Sequence, residues 1–157
     1  MEMKDTVTAV GIVLTFAVGA WNLALTLRTS KEARYINIYT TERVKWIHEL
    51  RANISKYCGA IHTWMTLYAG KQPSDPKEYE LLHEIDRLRY FIRLQLNPAY
   101  GADENIERLI LNIPKLTSNA SLDDLQAALE AITKETQGLL NNEWQKVKKE
   151  AREGKLG

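Results

Sequence analysis

Between Thr6 and Leu27 the chain reads TVTAVGIVLTFAVGAWNLALTL, without a single charged residue. A helix rises ~1.5 Å per residue, so a run of this length covers roughly the ~30 Å hydrocarbon core of a bilayer. A helix packed on a globular core keeps a polar face. Here the polar side chains inside the run are only Thr8, Thr15, Asn22 and Thr26. The stretch therefore reads as one N-terminal transmembrane helix. It divides the chain into an anchor (1–30), a juxtamembrane linker (31–41) and a helical domain (42–157). A secretory signal is the competing reading of such a run. Its apolar region is ~7–15 residues long and ends at a small-x-small cleavage site. This run is longer, and Trp21, Asn22 and Leu23 stand where that site would be.

The flanks orient the span. Lys4 lies before it with Glu2 and Asp5, and Arg28, Lys31 and Arg34 lie after it. Excess basic residues mark the cytoplasmic side, so the N-terminus is expected outside and the large domain in the cytoplasm. Arg28, Lys31 and Arg34 can also meet anionic headgroups at about 1 kcal/mol each. The single cysteine, Cys58, excludes an internal disulfide framework and suits a reducing compartment. A net charge of +1 argues against nucleic acid as a partner.

Within the run Gly11, Thr15 and Gly19 recur every four residues, and Asn22 and Thr26 continue roughly the same side. Small residues let two helices approach closely, and an asparagine can hydrogen-bond across the contact for ~0.6–2 kcal/mol. Gly11, Thr15, Gly19 and Asn22 are thus the expected oligomerisation face, and the chain is expected to be a homo-oligomer.

Beyond the linker the periodicity predicts helices. Thr40 or Thr41 caps a helix from about Glu42 to Ala69, whose seam is Ile47, Leu50, Ile54, Tyr57, Ile61, Trp64 and Tyr68. GKQPSDP (70–76) turns the chain. A second helix covers about Pro76 to Leu96, with a stripe of Tyr79, Leu82, Ile85, Leu88 and Ile92 broadened by Leu81, Phe91, Leu94 and Leu96. Asn97-Pro98 stops it. A short helix follows from Asp103 to about Ile113, and 114–120 is a connector. Ser121 and Asp124 form a capping box ahead of a last helix reaching about Arg152, with Leu122, Leu125, Leu129, Ile132, Leu139, Leu140, Trp144 and Val147 on its apolar face. The expected fold is all-α: one transmembrane helix plus a cytoplasmic helical bundle.

Signals for chemistry are sparse. No phosphate-binding loop, dinucleotide turn or serine elbow occurs, so no cofactor is expected. Glu80-Leu-Leu-His83 has the E-x-x-H spacing of di-iron helices, but a second copy is missing and no metal is expected. Arg87, Arg89 and Arg93 lie among Tyr90 and Phe91 and suit lipid headgroups or an acidic protein, with Glu84 and Asp86 as internal partners.

Two further patterns carry resemblances. Arg43 and His48, R-x-x-x-x-H, resemble the motif of the helical RNases called HEPN, in which arginine and histidine of two protomers meet at a dimer cleft. Val44 stands where that family has a polar residue, and five residues apart is not one helix face. Thr41-Glu-Arg-Val-Lys-Trp-Ile-His-Glu-Leu-Arg51 resembles a T-x-x-R-[hydrophobic]-K-W-I-x-x-L-R pattern. Arg93-Leu-Gln-Leu-Asn-Pro98, followed by Asp103, resembles a second one. Both recur in a loose group of uncharacterised small bacterial membrane-anchored proteins with one N-terminal span and a cytoplasmic helical domain. The resemblance covers about the first two thirds of the chain and carries no catalytic residues.

The expected function is non-enzymatic: self-assembly at the bacterial inner membrane in answer to a cytoplasmic trigger, a phage protein being one. By analogy of architecture the outcome is membrane disruption by gathered spans in phage defence. The alternatives are a passive tether for a cytoplasmic partner and, second, a HEPN-like RNase.

Overall fold

The computed structural model of the protein describes residues 3–69, 75–99, 101–118 and 121–153, and of residues 3–10, 13, 32 and 118 the backbone alone. These segments form four helices: α1 (Met3–Leu67), α2 (Pro76–Gln95), α3 (Gly101–Ser118) and α4 (Leu122–Glu153). Among the described residues there is no strand, and the fold is all-α. The chain divides into two compact units, Met1–Thr41 with Lys149–Gly157, and Glu42–Lys148.

Helix boundaries differ from the expected ones in two places. No cap interrupts the chain at Thr40 or Thr41: residues 28–41 are helical throughout, inside α1. No glycine or proline occurs between Gly19 and Gly59. The β-branched residues there weaken a helix by only a few tenths of a kcal/mol each, too little to end one. The short helix is also longer than expected, since α3 starts at Gly101 and continues through Pro114 to Ser118. A proline inside a helix costs roughly 3 kcal/mol. Leu116, beyond it, packs partly buried against the core and offsets part of that cost. Residues 70–74 of the expected turn, Tyr100, residues 119–120 of the expected connector and residues 154–157 lie outside the described residues.

Local chemistry explains the remaining ends. Asp75 caps α2 by accepting the Lys77 N–H at 2.9 Å, with Pro76 in the first turn. Ser121 Oγ donates to the Asp124 carboxylate at 2.5 Å just ahead of α4. Gly138 lies inside α4, and a Cβ there would meet nothing within 4 Å. Its ~1 kcal/mol helix penalty is therefore not the cost of a close approach.

The core belongs to the Glu42–Lys148 unit. Ile47, Leu50, Ile54, Tyr57 and Ile61 of α1 are buried, and Trp64 is half-buried beside them. They meet Leu88, Ile92 and Leu96, then Ile106, Ile110 and Ile113, then Leu125, Leu129, Ile132, Leu139, Leu140 and Val147. The broad stripe expected on α2 is narrower: Tyr79, Phe91 and Leu94 are exposed, as is Leu122 at the start of α4. Residues four apart lie on one line of a helix, which Leu88 and Ile92 of α2 form with its C-cap Leu96, and Ile85 packs partly buried against the same core.

Tyr57 is fully buried, and among the described residues its hydroxyl has no hydrogen-bond partner. Burial holds its phenol well above the usual tyrosine value. The folded state therefore binds this proton more tightly than the unfolded chain does. The resulting pH dependence is flat below the unfolded value of about 10 and costs stability above it, at about 1.4 kcal/mol per pH unit. Tyr57→Phe removes an unpaired buried hydroxyl, and is expected to leave stability at pH 7 unchanged or raise it by about 1 kcal/mol. Denaturant titrations of both proteins at pH 7 and pH 10.5 check this: the advantage of the variant should widen at the higher pH.

In the other unit, every described side chain from Gly11 to Lys31 is exposed. Thr15 and Thr26 turn their hydroxyls back to the carbonyls of Gly11 and Asn22, each at 2.8 Å. Tyr35 and Tyr39 meet with their rings tilted at 50° and centroids 4.7 Å apart. Among the described residues no helix is long and apolar enough to cross a membrane. The side chains of Thr6–Val10 and Val13, part of the apolar run, lie outside the described residues.

Candidate functional site

The two sequence patterns, 41–51 and 93–103, are brought together in the Glu42–Lys148 unit. Trp46 Nε1 donates to the Gln95 carbonyl at 2.9 Å, and Asn53 Nδ2 donates to Gln95 Oε1 at 3.1 Å. The Gln95 carbonyl is one of the last in α2 and has no acceptor role inside the helix, so the indole satisfies it. One residue past the helix cap, the Asn97 N–H donates to Asp103 Oδ2 at 2.7 Å. Asp103 stands in the first turn of α3 and so joins α2 to α3. Asp103 is buried, and desolvation raises its carboxyl above the usual range, with the Glu143 charge adding to that and the Asn97 N–H opposing it. Glu143 of α4 pairs with Arg43 of α1 at 3.6 Å and Lys146 at 2.6 Å. All four helices thus contribute to one polar joint. It has no nucleophile–base pair, and it fits a role in fixing the bundle.

At the other end of this unit Trp64 Nε1 donates to the buried Glu78 at 3.2 Å, tying the end of α1 to the first turn of α2. Cys58 is half-buried, and burial pushes its thiol up, opposed by a hydrogen bond with Thr133. Neither feature suggests a reactive group.

The basic residues of α2 have internal partners. Arg87 makes two 2.7 Å bonds to Glu84, which hold the Glu84 carboxyl below the usual range. Arg89 meets Asp86 at 3.1 Å, and Arg93 meets Glu107 of α3 at 2.9 Å. Arg87 also lies over Phe91, and Arg89 and Arg93 lie against Tyr90. The aromatics are exposed rather than buried in the core. Arg28, Lys31 and Arg34 are exposed on α1.

Arg43 and His48 do not converge. Arg43 engages Glu143, whereas His48 opens onto a cleft of about 340 Å³ with Ile47, Arg51, Gln137, Leu140, Asn141 and Trp144. Glu80 and His83 are exposed, and among the described residues no group of three His, Cys, Asp or Glu can hold a metal ion. Gly11, Thr15 and Gly19 line a shallow groove of about 680 Å³ on α1 with Ile12, Phe16, Ala20 and Leu23. Asn22 is exposed. A Cβ on Gly11 or Gly19 would meet nothing within 4 Å.

Sequence reading missed the roles of Asn53, Gln95, Glu143 and the Arg51–Trp144 cleft. A recurring pattern pointed to Trp46 and Asn97, but nothing in it names the partner. The fold and the joint define an all-α protein whose bundle is locked by polar contacts near its helix ends. Comparison with known protein families, characterised proteins and solved structures gave no match.

Proposed function

We propose that the chain is a membrane-anchored helical protein of the bacterial inner membrane that self-associates through its N-terminal helix. One observation carries this reading. Between Gly11 and Leu27 the helix exposes large apolar side chains all round, including Phe16 at 80% and Trp21 at 69%. Contiguous apolar surface on this scale marks a membrane or protein contact. The uncharged sequence Thr6–Leu27 and the back-bonded Thr15 and Thr26 hydroxyls suit hydrocarbon, because buried polar groups there need an internal partner. Charge on the flanks favours the Glu42–Lys148 bundle in the cytoplasm, where it meets a trigger. Gly11, Thr15 and Gly19 supply the surface on which a second helix can lie, and Asn22 supplies a polar contact across it. Gathered helices then disrupt the bilayer, the end point of an antiviral response.

The test is expression in bacteria, with and without phage infection, following membrane potential and dye entry. Wild type is compared with Gly11→Leu/Gly19→Leu and with Asn22→Leu. Leucine at either glycine has open space within its own chain, so a lost effect reports contact between chains. Depolarisation by the wild type that either variant abolishes supports the reading. Membranes left intact by the wild type in every condition would refute the effector and leave a passive tether.

A further inference from the structure

The cleft between α1 and α4 in the Glu42–Lys148 unit has a chemistry that the proposed membrane role does not use. His48 and Arg51 are three residues apart on α1, and Gln137, Asn141 and Trp144 are spaced by four and three on α4, so each set shares one helix face. The buried Ile47 forms part of the apolar floor. The other arginines of this unit are all engaged: Arg43 by Glu143, Arg87 by Glu84, Arg89 by Asp86, Arg93 by Glu107 and Arg108 by Asn105. Among the described residues, Arg51 has no ion pair or hydrogen bond, and neither His48, Gln137 nor Asn141 has a hydrogen-bond partner.

We infer that this cleft binds a nucleoside monophosphate. The planar fork of Arg51 matches a phosphate, and His48 adds a second donor beside it. Trp144 is 38% exposed, with the Lys148 ammonium over its ring 6.0 Å from the centroid, and the rest of its indole surface can take a flat ring beside that cation. Gln137 and Asn141 each present a donor and an acceptor, which the polar edge of a base satisfies and a plain aromatic ring does not. A volume of about 340 Å³ lies at the small end of the roughly 300–1,000 Å³ range of ligand sites, enough for one nucleotide and not for two.

The test uses the full chain in detergent micelles. AMP, GMP, CMP, UMP, adenosine and inorganic phosphate are titrated by calorimetry, with tryptophan fluorescence as a second readout. At least one mononucleotide should bind tenfold or more tightly than either adenosine or inorganic phosphate. Arg51→Gln should erase that advantage, and Asn141→Leu should change the order of preference among bases. Both residues are exposed, so unchanged helical circular dichroism is expected and checks that the fold survives. No saturable binding of any mononucleotide below millimolar concentration would overturn the inference, as would full affinity in Arg51→Gln. Tenfold tighter binding of a single-stranded tetranucleotide, falling steeply with salt, would also overturn it by assigning the face to a strand. None of these outcomes depends on whether the N-terminal helix enters a membrane.

Discussion

Leu50→Ala should cost the bundle about 2–5 kcal/mol, on the order of a third of the stability of a typical domain. Leu50 is 0% exposed and lies on the α1 seam between Ile47 and Ile54. Truncation removes the buried methyl and methylene groups and leaves a cavity. The backbone of a long, regular helix cannot close that cavity by moving a single residue. In thermal unfolding the loss amounts to a drop on the order of 10–20 °C. Leu94→Ala is the matched control. Leu94 is 84% exposed, so the same chemical change there should stay within about 0.5 kcal/mol. Equal losses at the two positions would mean that α2 presents a different face to the core.

On the proposed membrane anchoring, Phe16→Asp should move the protein from the membrane fraction to the soluble or aggregated fraction. An aspartate near the middle of a transmembrane helix costs about 2.5–3.5 kcal/mol, on the order of a hundredfold in partitioning. Phe16 stands near the centre of the uncharged run Thr6–Leu27 and is 80% exposed, so the aspartate clashes with nothing in its own chain. Carbonate extraction of membranes, followed by detection of each protein in pellet and supernatant, reads the shift. Leu111→Asp provides the comparison: Leu111 is also exposed, but on α3 of the bundle, and its distribution should match wild type. If Phe16→Asp and wild type partition alike, the apolar helix has a protein partner rather than lipid, and the anchor reading fails.

Helical periodicity carried much of the bundle. The seam from Ile47 to Ile61 could be read because a helix repeats its buried face every three to four residues, and all five of those side chains are buried. The stop at Asn97-Pro98 was legible because turn chemistry is local, whereas Ser121 and Asp124 meet side chain to side chain and not through the backbone bonds of the expected capping box. Reading failed where propensity and packing compete. Thr40 and Thr41 look like caps, yet without a breaker nearby the helix runs on through them. Pro114 looks like a stop, yet Leu116 finds the core beyond it.

The candidate cleft and the polar joint show the deeper limit. Arg51 and Trp144 are far apart in the chain, and nothing local to either says that they share a cleft while Arg43 is drawn to Glu143. What the sequence alone determines is the all-helical class, the uncharged N-terminal run and the faces that seek burial, since each depends on residues within a few turns. Which arginines of the Glu42–Lys148 bundle are engaged while Arg51 is not, and where Trp46 and Asp103 find their partners, only the tertiary structure decides. Those pairings depend on how α1, α2, α3 and α4 of the bundle pack, and packing is set by the whole core at once.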